Sequence, residues 1–546
     1  MFQFSTTSAL LILLGFYGLT FLFTLSIGKK QENADGYMVS NGSVGFSMSA
    51  ASMTATWIWA ASFYAAASSG YQYGLSGAIH YGFWGALMIL FIYPFGRRFR
   101  KLAPNAHTLA EIMHARHGSS SQMILAGSNI IGSLISLMVN FTAAGALVDI
   151  LSPLTFTQGV LIAGAGVLSY TFWSGFRSSV FTDFGQLVAM IVAAVVIIPM
   201  IFFQLGGPEL FEQGMHNLTP EQASFYSPTA ILEQGAPFFV AVLAYAIGNQ
   251  TIAQRLFAVR EDLIKPSFIT ATIGYGSIVI GLGMLGLLAL LAGVTPIDGD
   301  LNNLIPQMAA TYLPPVMVIL LFVMVIGSLS STADSDLSAL SAIIMTDVYA
   351  KHISKNKPNP KIMLLVGRAT MVIATTLGVT FASLKLDILS MLIFVGALWG
   401  AIVFPVIASL YWKKVTNAAF TSSVAIAFVL FVLVRFNFVT LTGATAIGFE
   451  ILAALGGAVV IGLMSFGFFG RRVGIVLGAI VACVLLFYTL GFLRNYIVLL
   501  SSLTAYGASA LICTAMTLLS KKPDFNFNDI DKRVVEFHTE ELNKEI

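Results

Sequence analysis

The chain has 546 residues, 57% of them hydrophobic and only 10% charged, with a formal net charge of +3. A soluble domain carries about 25% charged residues, so this composition excludes a water-soluble globular protein and describes a helical protein that crosses a membrane many times. Neither the small net charge nor the two cysteines, Cys483 and Cys513 in apolar runs, gives a basis for a nucleic-acid partner, a metal pattern or a disulfide framework.

About fifteen stretches meet the requirement of roughly 20 mostly apolar residues for a span. In chain order they lie near 7–28, 44–74, 77–96, 121–150, 157–176, 180–206, 236–257, 267–293, 315–348, 362–384, 388–412, 418–436, 444–469, 473–492 and 495–519. The first lacks the basic start and small-residue cleavage site of a signal peptide and is kept as a span. With the N-terminus outside, every Lys and Arg except Lys385, Arg435 and Arg494 falls on the inner side. The positive-inside rule therefore predicts an N-out, C-in protein. Two longer outer loops, 207–235 and 294–314, carry Pro and polar residues suited to capping a vestibule. The tail from Lys521 is polar and mixed in charge, which predicts a cytosolic, partly disordered extension over 521–546.

Two spans break the usual Leu/Ile/Val run. Span 2 carries "TATWIWAAS" and span 7 carries "AYAIGNQTIAQR". Interrupted segments at matching positions of two halves point to a transporter binding site, where unwound backbone offers carbonyls to a cation and amides to a solute. Spans 2–6 (44–206) and spans 7–11 (236–412) hold five each, so the halves begin on opposite sides of the membrane. Span counting thus predicts a five-plus-five inverted repeat. An extra helix precedes it at 7–28 and four helices follow at 418–519.

Span 9 carries the most informative segment, "GSLSSTADSDLSALSAIIMTDVY" at 327–349. Ser328, Ser331, Thr332, Ser335 and Ser338 recur at helical spacing and form one polar stripe. Asp334 and Asp336 are costly at membrane depth unless a cation meets them. Carboxylate and hydroxyl oxygens suit a small hard cation. The alternative is polar glue between helices, which Ser and Thr often provide.

Five motifs occur in the order of a known family. They are "YGLSG" after span 2, "SGFRSSVFTDFGQ" into span 6, "GNQTIAQR" in span 7, the span 9 segment, and "LYWKKVT" after span 11. Over about residues 30–415 the chain resembles the solute:sodium symporters, which have the LeuT-type inverted-repeat fold. The resemblance implies a sodium site made of the hydroxyls of Ser331 and Thr332 and the carbonyls of Ala55, Ile58 and Ser328. All five oxygens are neutral, so the ion would be released readily. Some members resemble a two-sodium arrangement, which implies a second cation site at Asp183, Asp334 and Ser335. The family usually has a hydroxyl where this chain has Asp334. For Asp183 the other reading is a helix N-terminal carboxylate facing the macrodipole.

The resemblance places the solute between spans 2 and 7, at Trp57, Trp59, Ser62, Tyr245, Asn249 and Gln250. Tyr245 matches the aromatic that covers the solute from inside in sugar-type members, or is an ordinary packed ring. Proline-type and sugar-type members are polar or acidic where Trp57 stands. "TWIWAAS", "YQYGLSG" and "NAHTLAEIMHARHG" look more like the urea/polyamine branch.

Other signals carry less. His107, His114 and His117 match no zinc pattern and suit a cytosolic surface helix. Gly281, Gly283 and Gly286 spell a G-x-G-x-x-G inside a hydrophobic helix, which makes it close packing rather than a nucleotide motif, and Gly396 and Gly400 are of the same kind. Glu450 has no evident partner in sequence. Asn217-Leu218-Thr219 is a glycosylation acceptor pattern on an outer loop.

The expectation is therefore a multi-pass protein of the plasma (inner) membrane, not an enzyme. It would couple Na⁺ to the symport of a small polar organic solute (urea- or polyamine-like, an amino acid or a carboxylate) by alternating access. A proton-coupled carrier and a passive facilitator on the same scaffold stay open.

Overall fold

The structure is a computed structural model and describes residues 2–27, 34–355, 357–386 and 388–534. Among these residues it is helical throughout, and the β-structure amounts to one isolated bridge between Val44 and Val259. The main helices are α1 (Thr6–Ile27), α2 (Phe46–Trp57), α3 (Ala60–Leu102), α4 (Leu109–His117), α5 (Ser119–Leu151), α6 (Phe156–Ser174), α7 (Phe176–Gln204), α8 (Ala236–Gly248) and α9 (Gln250–Ala258). They continue with α10 (Ile264–Leu291), α11 (Pro315–Ile343), α12 (Pro360–Ala382), α13 (Ile388–Tyr411), α14 (Asn417–Arg435), α15 (Gly443–Phe469), α16 (Arg471–Tyr488) and α17 (Ile497–Leu519).

Thirteen helices among the described residues are long and apolar enough to cross a membrane. The two expected spans outside that number are 157–176, which is α6, and 44–74, which is α2 with the first limb of α3. The second case has a geometric cause. Thr54 and Ala86 meet neighbouring glycines of α10, Gly274 and Gly276. The chain therefore travels along α10, reverses, and returns beside it. The reversal is at Gly74, with φ 64° and ψ −140°, a conformation that glycine alone adopts without strain.

Close backbone contact holds α3 and α10 together. A Cβ on Gly286 would lie 1.8 Å from the Ala67 carbonyl oxygen, and one on Gly283 would lie 2.8 Å from that of Ala78. The glycine pattern at 281–286 is thus helix packing, as its apolar setting predicts.

Two breaks define the centre. Between α2 and α3 the chain leaves the helix at Ile58 (ψ 64°) and is extended at Trp59 (ψ −178°). Between α8 and α9 it is extended at Asn249 (φ −88°, ψ 119°), whose side chain caps α9 by accepting from the Thr251 amide. These are the two segments that small and amide residues interrupt in sequence. The Val44 bridge ties the start of α2 to the end of α9, through Val44 N–H to the Ala258 carbonyl at 3.0 Å.

Three sequence expectations need correction. The His107–His117 segment is not a surface helix: His107, Glu111 and Arg116 are all buried. His107 lies 2.6 Å from Asp35, and Arg116 donates to the carbonyls of Ser409, Lys413 and Val415. The first part of the tail is packed rather than disordered. Ile530 and Val534 are buried, and Arg116 stacks on Phe525 at 4.2 Å. The last residues of the expected tail, 535–546, lie outside the described residues. Glu450 does have a partner: Arg494 donates to both of its carboxylate oxygens, at 3.0 and 2.7 Å.

Candidate functional site

The end of α2 would leave its last carbonyls without helical partners. Hydroxyls take them up one by one. Ser331 donates to the Ala55 carbonyl at 2.8 Å, Thr332 to Thr56 at 2.7 Å, and Ser62 to Trp57 at 2.8 Å. Ser328 donates to Ile58, and Ser331 also reaches the Ser328 carbonyl at 2.9 Å. Ser328, Ser331, Thr332 and Ser335 share a face because they sit at i, i+3, i+4 and i+7 on α11. All of these residues are buried. The oxygens gathered here are neutral, and the C-terminal end of a helix favours positive charge. Ala55, Ile58, Ser328, Ser331 and Thr332, expected to act together, do lie together. The Thr56 carbonyl joins them. Ser62 is part of the break itself: besides Trp57 it bonds the Tyr275 hydroxyl at 3.3 Å, and it does not line the cavity described below.

Beside this group sits a charged cluster. Asp183 on α7 accepts from Ser52 at 2.6 Å and from Arg255 at 3.0 Å. The same guanidinium nitrogen of Arg255 donates to Ser335 at 2.7 Å, and its Nε donates to Ser52 at 2.9 Å. Asp334 is held by Ser179 at 2.5 Å and Tyr170 at 2.7 Å, and Ser335 links it to the Arg255 group at 3.2 Å. Asp183, Asp334 and Ser335 therefore converge as expected, but with a fixed cation among them. Sequence reading counted Arg255 as an inner-loop charge. In the structure it is buried, and its guanidinium stands on two of the three groups expected to hold a second ion. Asp183 is accordingly an ion-pair partner and not merely a helix-end carboxylate.

A cavity opens next to the α2 break. Trp57, Trp59, Tyr245, Asn249, Trp399 and Asp336 line it, with Thr56, Thr332 and Ser136 among its polar atoms. Trp57 packs edge-on to Tyr245 with centroids 5.9 Å apart, and Tyr245 edge-on to Trp399 at 5.0 Å. Trp399 is seated between Gly132 and Gly248, where added Cβ atoms would come within 2.1 and 2.5 Å of its ring. Thus Trp57, Trp59, Tyr245 and Asn249 line one cavity.

Gln250 does not. It accepts from the Leu109 amide at 3.2 Å and donates to the His107 carbonyl at 2.9 Å. One residue beyond the break, the helix turn carries it away from the cavity. Trp399 and Asp336 were not assigned to the site by sequence. Trp399 is hidden in an apolar span. Asp336 carried a signal, its charge at membrane depth.

The Asp347 end of α11's polar segment faces elsewhere. It accepts from Thr108 at 2.8 Å and from Gln122 at 2.7 Å, joining the helical continuation of α11, Ile344–Ile353, to the start of α4 and to α5. Among the described residues no group of His, Cys, Asp and Glu is arranged to hold a metal ion.

The sodium:solute symporter family model matches residues 37–426. That is most of the chain, and it includes both breaks and the polar stripe of α11. The chain belongs to the sodium:solute symporter family. It is 25% identical to the sodium/pantothenate symporter of Haemophilus influenzae over 422 residues, covering 75% of this chain and 87% of that protein. It is 23% identical to the high-affinity proline transporter PutP of Bacillus subtilis over 415 residues, covering 71% and 84%. It is 22% identical to probable urea active transporter 1 of Schizosaccharomyces pombe over 387 residues, covering 66% and 58%. A substrate-bound, outward-open Na⁺-coupled sialic acid symporter superposes with a TM-score of 0.65 at 18% identity, covering 87% of this chain and 97% of that one. The fold is LeuT-type, and the protein is a multi-pass membrane transporter rather than an enzyme.

Proposed function

We propose that the protein couples Na⁺ entry to the uptake of a small polar organic solute by alternating access. The observation that carries this reading is the junction of α2 and α11. There Ser331 donates to the carbonyls of Ala55 and Ser328, Ser328 to that of Ile58, and Thr332 to that of Thr56, which gathers the Ala55, Ile58 and Ser328 carbonyls and the Ser331 and Thr332 hydroxyls at one place. Na⁺ is the transported ion, and these five oxygens are its proposed ligands. On binding Na⁺ these hydroxyls and carbonyls would turn their lone pairs to the ion. Na⁺ would thus tie α2 to α11, and so set the break that forms one wall of the solute cavity. Solute bound against Trp57, Tyr245 and Asn249 would complete closure, and opening to the inside would separate α2 from α11 and release the ion. The electrical driving force is about 2.3 kcal/mol per charge per 100 mV.

The proposed frame is the two five-helix repeats, 44–206 and 236–412. The N-terminus lies outside and the C-terminus inside the plasma (inner) membrane. Arg255 supports a single coupled Na⁺, because its guanidinium already neutralises Asp183 and reaches Ser335. A proton-coupled reading has one specific observation in its favour, the buried carboxylate of Asp336 with an unpartnered oxygen.

The test is uptake of labelled solutes into proteoliposomes under an inward Na⁺ gradient, an inward H⁺ gradient, or neither. Na⁺-driven accumulation that Ser331→Ala/Thr332→Ala removes is the expected result. Uptake that follows the proton gradient, or merely equilibrates, and survives that double substitution overturns the reading.

A further inference from the structure

Asp336 is 1% exposed, lines the cavity, and has one carboxylate oxygen, Oδ2, without a hydrogen-bond partner. The hydroxyls of Ser136 and Ser133 serve the carboxylate from α5. Among the described residues no Lys, Arg or His forms an ion pair with it; Arg255 is spent on Asp183, Ser52, Ser335 and the Thr251 carbonyl. A carboxylate taken out of water without a cationic partner is strongly unfavourable, so it either takes up a proton or is met by a cation from outside the fold.

Aromatic rings share its lining. Trp57, Tyr245 and Trp399 stand edge to face around the same cavity. Ring faces attract a cation within about 6 Å, and a box of them is the usual receptor for an ammonium group. They do nothing of the kind for an anion. Asp336 follows Thr332 by one helical turn, so the carboxylate sits one turn along α11 from the proposed Na⁺ ligands.

We propose that the transported solute is a cationic amine, its charged nitrogen held between the Asp336 carboxylate and the rings of Trp57, Tyr245 and Trp399. This rests on the symport reading above and narrows its substrate class. Arg255 and the neutral Na⁺ ligands leave Asp336 as the carboxyl group of the cavity lining that no cation of the described fold pairs with. The solute itself would then satisfy the carboxylate during the loaded half of the cycle.

The test is uptake by the full-length protein in proteoliposomes, with and without an inward Na⁺ gradient. The probes are choline, putrescine and agmatine as cations, urea as a neutral nitrogen compound, proline as a zwitterion and pantothenate as an anion. The expected result is Na⁺-dependent accumulation of at least one cation, which urea, proline and pantothenate do not compete away. Asp336→Asn should cut that uptake by roughly tenfold or more with the Na⁺ half-saturation unchanged, and Asp336→Glu should restore part of it. Should the Asn protein fail to fold, as judged by size exclusion, the wild-type panel and Asp336→Glu decide. Na⁺-driven uptake of urea, proline or pantothenate with none of the cations overturns the amine assignment and leaves the symport reading standing. So does cation uptake that survives Asp336→Asn. Failure to take up any of the three cations also overturns it. Cation uptake that needs Asp336 but ignores Na⁺ supports the amine assignment and overturns the symport reading instead.

Discussion

Arg255 donates to Asp183 across 3.0 Å inside the helix bundle, with both side chains almost fully buried. The pair joins α9 to α7, and through Ser52 and Ser335 it reaches α2 and α11 as well. One guanidinium therefore touches both helices that the proposed transport cycle separates, α2 and α11.

Removing one partner of a buried ion pair is costly because the other charge is left behind. Arg255→Ala should destabilise the protein by about 3–5 kcal/mol. Asp183→Asn/Arg255→Gln, which removes both charges at similar volume, should recover much of that loss. Thermal melts of the detergent-solubilised variants measure it. Equal losses in the single and double variants would mean that the pair contributes packing rather than charge balance.

The same pairing sets an expectation for stoichiometry. With Arg255 in place, uptake should rise with Na⁺ along a simple hyperbola with a Hill coefficient of about 1. Flux measured across a Na⁺ series at fixed membrane potential tests this. A sigmoidal curve would require a second ion elsewhere.

Ser331→Ala and Thr332→Ala each remove one proposed ligand oxygen and also leave a carbonyl of α2 uncapped. Each should raise the Na⁺ half-saturation by roughly tenfold, equivalent to about 1.4 kcal/mol. Asn217→Ala, in the 207–235 connection far from α11 in sequence, should leave it unchanged. Na⁺-dependent intrinsic fluorescence of the purified protein measures these affinities without transport.

The histidines near α4 give stability a dependence on pH from both sides. Burial opposes the charge on His107, but hydrogen bonds with Asp35 and Glu111 outweigh it and raise its pKa to about 10. A pKa raised on folding stabilises fully below the unfolded value of about 6.5 and is lost as pH climbs toward 10. Burial lowers His117 to about 3, and burial with Lys351 lowers His114 to about 4. Those two act in the opposite sense: as pH falls below about 6.5 the unfolded chain takes up protons that the folded one refuses, and stability drops. Melting temperature should thus fall on both sides of a neutral maximum. His107→Gln should flatten the alkaline limb and His117→Gln the acid limb. A variant profile that follows the wild type on its own limb would show that the histidine concerned does not titrate there.

Backbone contact between α3 and α10 predicts an intolerant glycine. Gly286→Ala places a methyl 1.8 Å from a carbonyl oxygen that cannot rotate away. Overpacking of this kind costs about 1–3 kcal/mol, and here it should also separate α10 from the α2 break. Gly15→Ala, in α1 with open space around it, should be neutral. Folded yield by fluorescence-detected size exclusion compares the two.

Much of this site was legible in the chain because its signals are local. Ser328, Ser331 and Thr332 announce a polar face by spacing alone, and the small and amide residues around Ile58 and Asn249 mark where helices stop. What sequence could not supply is the direction in which a side chain leaves its helix. Arg255 sits in a run that looks like an inner loop, yet α9 turns it inward to Asp183. Gln250 adjoins Asn249 but faces the His107 backbone instead. Trp399 is one large apolar residue among many, and only the glycines of two other helices, Gly132 and Gly248, make room for it in the cavity wall. The reversal at Gly74 is of the same kind. Its glycine is plain in sequence, but the doubling-back along α10 depends on contacts about 200 residues away.

The packed stretch after α17 has a mechanical consequence. Phe525 N–H binds the Lys413 carbonyl, Arg98 and Arg116 lie over Phe527 and Phe525, and Arg533 donates to the Ala115 carbonyl. The segment works as a buckle across the ends of α3, α4 and α13. Helix ends fastened this way would keep their places relative to one another in the proposed cycle. Trimming the chain back to Ser520 would not merely shorten it; it would undo that fastening.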